Sequence, residues 1–287
     1  MELTSLKRAE LRFSTLWAER GRWLEHWRDI SRLLQPRLGR FLVTDVNKGE
    51  RRNSSIYDNS AMRASRVLAA GMQAGMTSPA RPWFRLTLAD KKLAEQGEVR
   101  SWLHASSLRI REVFSASNLY RALHTGYEEL GLFASWAMLL EDDFDTVIHA
   151  VPFTIGEFAI GVNEKGRPDS LAREFPMTVG QLVEKFGIGK VSPNVKNQYD
   201  RGQLDAWITT RHVIQPNPIG ISGTRDNTRM KFSSVYWEPS QNNATMLRES
   251  GYENFPALAP RWSVTSQDVY GQGPGMEALG DVKQLQH

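Results

Sequence analysis

The chain has no cysteine among its 287 residues, which excludes disulfides, thiolate metal sites and every cysteine-nucleophile mechanism. Its histidines are few: His26, His104, His124, His149, His212 and His287. No two of them stand at the close spacing that zinc sites use, so no metal residue is predicted. Apolar runs are short as well. None approaches the roughly 18 residues a membrane-spanning helix requires, so no membrane partner is expected. Met1-Glu2-Leu3-Thr4 leads into a charged helical pattern rather than an apolar signal segment, which reads as synthesis in the cytoplasm. The Asn-x-Ser/Thr matches at Asn53 and Asn243 then read as accidental.

Chemical motifs are equally scarce. Gly187-Ile188-Gly189-Lys190 and Gly220-Ile221-Ser222-Gly223-Thr224 both lack the spacing of a phosphate-cradling loop, which argues against an ATPase. Gly156-Glu157-Phe158-Ala159-Ile160-Gly161 has no serine elbow, which argues against an esterase. Glu141, Asp142, Asp143 and Asp145 are the densest carboxylates, and such groups can bind Mg²⁺ or transfer protons. They lack calcium-loop spacing and fall where one strand turns into the next, so they read as a charged turn. No catalytic, cofactor-binding or metal residue is assigned, and no cofactor is expected.

Hydrophobic residues make up 40% of the chain, enough for a sizeable core. The net charge of +4 is uneven: residues 1–66 hold 14 Lys/Arg against 8 Asp/Glu, and the rest 22 against 24. The basic excess reads first as a solvated helical face; contact with nucleic acid or an acidic partner is the sharper alternative. Trp17, Trp23 and Trp27 recur at helical spacing, which favours packing over base stacking.

From residue 4 to 35, Leu6, Phe13, Leu16, Trp17, Leu24, Trp27, Ile30 and Leu34 predict one long amphipathic helix closed by Pro36. Residues 38–53, with Arg51-Arg52-Asn53, read as a loop. A helix rich in Ala, Gly and Met then starts near Ser54 or Ser55 and ends at Thr77-Ser78-Pro79. Pro79 and Pro82 turn it into an extended strand. Gly inside a helix costs about 1 kcal/mol against Ala, so Gly71 and Gly75 read as places where a helix approaches closely, within one subunit or across two. Further helices are predicted at 92–117 and 118–132.

Beyond Ala134 the pattern becomes β-favouring. Strands are predicted at Ser135–Glu141, Thr146–Pro152, Thr154–Val162, 169–176, Asp205–Ile214 and Met230–Glu238, as an antiparallel meander. Short helices are expected at Thr178–Phe186 and Pro193–Arg201. After the breaker Gly271-Gln272-Gly273-Pro274-Gly275, Met276, Ala278, Leu279, Val282 and Leu285 begin a new helical pattern. The fold class is α+β: a helical region at 1–133, an antiparallel strand-rich region at 134–270, and a linker with the start of a helix at 271–287.

In this order the features resemble the portal, or head-to-tail connector, protein of short-tailed bacteriophages of the T7-like group. The carriers are the Arg/Trp-rich first helix ending in Leu34-Gln35-Pro36, then Ile56-Tyr57-Asp58-Asn59-Ser60-Ala61 through Leu68-Ala69-Ala70-Gly71-Met72, and Met76-Thr77-Ser78-Pro79 followed by Pro82-Trp83-Phe84. Tyr127-Glu128-Glu129-Leu130-Gly131-Leu132-Phe133-Ala134, Phe255-Pro256 with Pro260-Arg261-Trp262, and Tyr270-Gly271-Gln272-Gly273-Pro274 complete the set.

The resemblance implies a wing-like structural subunit of a ring, commonly of twelve copies, at one capsid vertex of the virion and assembled in the bacterial host cytoplasm. Double-stranded DNA passes through such rings during packaging and ejection. Capsid, terminase and tail or adaptor proteins are the family's partners, and the ATPase belongs to the terminase. The chain ends where the family's stem helix starts, so the stem, clip and crown would be missing, as in a fragment, a split gene or a prophage remnant. Two other readings stand beside it: a basic nucleic-acid-binding module using the first helix and Arg51-Arg52, and a hydrolase acting through the 141–145 carboxylates.

Overall fold

The computed structural model describes residues 4–42, 52–240 and 243–286. Arg51 and His287, named above, lie outside the described residues, as does most of the loop expected at 38–53.

The first apolar stripe forms two helices, α1 (Ser5–Gly21) and α2 (Leu24–Leu34), instead of the single helix expected. Thr4 opens α1 by accepting the Lys7 N–H at 3.3 Å. At the break the Arg22 and Trp23 N–H groups turn back to Glu19 and Arg20 carbonyls. The stripe runs on through this bend, which is why periodicity alone hides it. The bend has a packing reason: Trp23 and Trp27 stack on each other and both close on Tyr270 at 5.7 and 4.9 Å.

The small-residue helix, α3 (Ser60–Met76), begins several residues later than expected. Ser54 and Ser55 do not cap it. The Tyr57 and Asp58 N–H groups instead donate to Gln286 Oε1 at 2.7 and 3.0 Å, and Asp58 Oδ1 accepts from the Ser60 N–H. This ties residues 56–58 to the far end of the chain and delays the helix. Among the described residues nothing comes within 4 Å of a Cβ placed on Gly71 or Gly75, so no close approach is made there. The tight contact is elsewhere: a Cβ on Gly131 would meet Leu68 Cδ2 at 2.9 Å.

After Pro79 the chain is extended but joins no sheet, correcting the strand expected there. Helices hold it: Trp83 Nε1 donates to the Tyr120 hydroxyl at 3.1 Å, and the Leu86 N–H to Ser107 Oγ at 3.0 Å. Those partners lie on α5 (Gly97–Ala116) and α6 (Leu119–Phe133), preceded by the single turn α4 (Lys91–Ala94).

The second half holds two antiparallel sheets rather than one meander. β1 (Ala137–Asp143) pairs with β2 (Val147–Phe153) and with the short β8 (Ala257–Leu258). β3 (Phe158–Val162), β4 (Pro168–Thr178), β5 (Trp207–Pro216), β6 (Phe232–Glu238) and β7 (Thr245–Tyr252) form a five-stranded meander in chain order. β7 has no counterpart among the expected strands. β3 starts at Phe158 and not Thr154, because residues 154–157 form a turn around Gly156, whose φ is +89°.

On one face of the larger sheet, Ala9, Phe13 and Leu16 of α1 bury Ala172, Val213, Val235 and Trp237. The opposite face packs α7 (Val179–Phe186) and α8 (Pro193–Asp200) through Val179, Leu182 and Val195 onto Met177, Tyr236 and Leu247. Thr178 and Gln181 form a reciprocal capping box at the start of α7.

The largest core lies between the sheets and draws on both halves: Trp27, Ile30 and Leu34 meet Leu132, Phe133, Leu139, Phe153, Phe158 and Tyr270. Burying one such aromatic contributes about 4–6 kcal/mol of gross apolar transfer. The final helical pattern is two short pieces, α9 (Pro274–Glu277) and α10 (Leu279–Leu285), and Val282 enters the same core. Lys283 reaches Asp29 of α2 at 2.8 Å.

Candidate functional site

Three depressions share Arg40 and Glu157 and run together as a cleft between the two sheets. Their volumes are about 340, 280 and 610 Å³. Residues 35–42 form one wall. Arg20, Arg28, Arg37 and Arg40 line it, facing the turn at 153–157 and Arg173.

The centre is Glu129 of α6, which is fully buried. Its Oε1 accepts from the Thr154 hydroxyl, and its Oε2 from the Ile155 N–H at 3.1 Å. Thr154 in turn accepts the Gly39 N–H at 2.8 Å. Burial holds the Glu129 carboxyl up at about 8, against the two hydrogen bonds that favour its charged form. One carboxyl therefore fastens α6, the 35–42 segment and the turn before β3. Its neighbour Glu128 accepts from Gln35 Nε2 at 2.8 Å and adds a second fastener.

Arg20 donates to the Gly156 carbonyl, and its guanidinium covers Trp17 at 3.7 Å. Burial lowers its affinity for the proton to about 10. Glu157, 3.8 Å from Arg40, is raised by burial, with Arg40 and Arg173 opposing. The turn at Gly156 is tight: a Cβ there would strike the Arg40 carbonyl.

One row across the larger sheet places Arg173, His212 and Tyr236 side by side in register. His212 stacks on Tyr236 at 3.6 Å and 8°, takes the Arg173 Nε–H on Nδ1 at 3.2 Å, and shares Nε2 with Ser234 Oγ at 2.9 Å. Burial, then Arg173, pushes its pKa well below the ordinary imidazole value. Arg173 also covers Phe153 and Phe175 at 4.8 and 4.3 Å. Every ring nitrogen of His212 is occupied by structure.

Chemically this arrangement fastens segments together. The Thr154 hydroxyl takes part in this fastening on both sides: it accepts the Gly39 N–H and donates to Glu129.

The carboxylates and cations that stand out in the sequence fall outside the cleft for the most part. Asp142, Asp143 and Asp145 sit at the β1–β2 turn, where Asp143 Oδ2 accepts the Thr146 N–H at 2.9 Å and its hydroxyl at 2.6 Å. Only Glu141 reaches the cleft wall. Among the described residues no cluster of three or more His, Asp or Glu is placed to hold a metal ion, and no helix is long and apolar enough to cross a membrane. Arg12 is turned inward, bonding Ser170 Oγ at 2.9 Å and lying 3.9 Å from Asp169. Glu129 is not singled out by any motif. It is the second of two adjacent carboxylates, Glu128 and Glu129, in the stretch between Tyr127 and Phe133, and the fold buries it.

The profile of the bacteriophage head to tail connecting protein family matches residues 6–287. The chain belongs to this family. Two curated relatives align over the whole chain: a probable portal protein of Bordetella phage BPP-1, 48% identical over 286 residues, and a portal protein of Salmonella phage epsilon15, 42% identical over 287. The chain spans about half the length of each, 52%. In a head to tail connecting protein the cleft reads as an internal fastening: its polar groups lock the 35–42 wall and the inter-sheet turn to the central helix α6.

Proposed function

We propose that this chain is a structural, non-enzymatic subunit of a bacteriophage portal ring, and that it supplies the wing. The observation that carries the reading is the family match over residues 6–287 together with two portal relatives aligned end to end with the chain. Physically, a ring needs side-by-side packing of rigid subunits rather than a reactive cleft, and the polar residues of the cleft are committed to holding segments together.

In this reading residues 1–133 and 134–270 are the helical and strand-rich regions of the wing, and 271–287 lead toward the stem. The ring, commonly of twelve copies, sits at a capsid vertex of the virion after assembly in the host cytoplasm. Its partners are other copies of itself, capsid, terminase and tail or adaptor proteins, and the double-stranded DNA that passes during packaging and ejection. No catalytic, cofactor or metal residue is assigned.

The test is mass photometry and negative-stain imaging of the chain alone and of a version extended by the second half found in its relatives. The extended chain should form closed rings, and residues 1–287 a monomer or weak mixed assemblies. An extended chain that stays monomeric at micromolar concentration overturns the reading.

A further inference from the structure

The β1–β2 turn combines two features that folding alone does not explain. Phe144 stands fully exposed at its tip, with Glu141, Asp142, Asp143 and Asp145 beside it in the chain. Asp143 braces the turn through Thr146. Of the four carboxylates, none is ion-paired among the described residues. Moving an apolar ring from water on a braced, acidic tip into an apolar surface is favourable in transfer free energy.

A matching surface exists on the same chain. The extended segment after Pro82 lies along α5 and leaves a groove of about 720 Å³. Its floor is apolar, with Phe84, Leu86, Leu103 and Leu108. Arg85, Lys91, Arg100 and Arg111 stand on its rim, against a single carboxylate, Glu95. None of the four cations is ion-paired among the described residues. The volume suits a tight turn with one aromatic, within the range of sites that bury small ligands.

We infer that the occupant of this groove is the β1–β2 tip of a second copy of the chain: Phe144 enters between the 82–88 segment and α5, and Asp142 and Asp145 meet the rim cations. The inference rests on the ring reading. Tip and groove are different patches, so the contact is heterologous, and repeated around an axis it is the kind that closes rings. Opposite charges steer the two patches into register and disfavour tip-to-tip pairing.

The absence of cysteine gives a clean test. Val147→Cys, exposed at the tip beside the intact Phe144, and Leu108→Cys are made in separate chains, one carrying a mass tag, mixed at high concentration and oxidised. A disulfide-linked tagged–untagged dimer is expected, well above the yield from a control mixture of Val147→Cys with Ile219→Cys, another exposed position. Adding Asp142→Lys and Asp145→Lys to the tip should lower the yield about tenfold, and Arg100→Glu with Arg111→Glu in the groove should restore it. A yield no higher than the control overturns the contact. Loss without restoration by the charge swap overturns the pairing of the two patches. Closed rings imaged for the extended chain alongside either negative result would leave the ring reading standing and remove only this contact.

Discussion

Replacing Glu129 by Gln isolates the fastening at the centre of the cleft. In the unfolded chain this carboxyl titrates near 4.3; in the fold burial holds it at about 8. Between those values the unfolded chain is ionised while the folded chain keeps its proton, so folding takes up a proton and stability falls as pH rises. The contribution is fully present below about pH 4.3, declines by about 1.4 kcal/mol per pH unit, and is lost above about pH 8, a span of several kcal/mol. Gln carries no proton to lose. Its amide oxygen can accept the Ile155 N–H, and its amide N–H can donate to Thr154 Oγ1, replacing the two bonds of Glu129. Urea unfolding at pH 5, 7 and 9 reads the difference between the two chains. Near pH 5 they should differ by about 1 kcal/mol or less, and by pH 9 the Gln chain should be the more stable by several. Comparing the two cancels groups of opposite sign, such as Asp29 and Asp58, whose lowered values cost stability in acid. Parallel stability curves from pH 5 to 9 would refute the reasoning.

Other substitutions probe the frame around that site. Trp27→Ala, at a position with no exposed surface between α2 and Tyr270, should cost about 3–5 kcal/mol in chemical denaturation. Gly156→Ala sets a Cβ against the Arg40 carbonyl at a φ of +89° and should cost about 1–3 kcal/mol by the same measurement, with no gain from repacking nearby side chains. Asp142→Ala with Asp143→Ala should leave ATP and DNA hydrolysis assays at background with Mg²⁺ present, as for the unchanged chain. Metal-dependent hydrolysis by the unchanged chain that these substitutions abolish would promote the enzyme reading.

The sequence is most legible where one local rule acts alone. The short helices expected at Thr178–Phe186 and Pro193–Arg201 form as α7 and α8, where a local capping box and a proline at the first turn act. It misleads where a distant partner decides the outcome. The bend between α1 and α2 exists so that two tryptophans can reach Tyr270, far away in the sequence. The late start of α3 depends on Gln286. The extended run after Pro79 is held against α5 and α6 through Leu86 on Ser107 and the Trp83 indole on Tyr120, outside both sheets. Glycines show the same limit: Gly71 and Gly75 stand out by composition, while tighter approaches are made at glycines the pattern does not mark, such as Gly126 against Trp136 and Gly156 against the Arg40 carbonyl. The cleft is illegible for a related reason. Glu129, Thr154 and Gly39 are ordinary residues in separate segments, and only the packing of α6 between the sheets brings them together.

The central claim is that this member of the head to tail connecting family is built to stand in a ring. Negative-stain imaging of the chain extended by its relatives' second half tests it directly. Closed rings of uniform copy number are predicted; a population that remains monomeric at micromolar concentration would contradict the account.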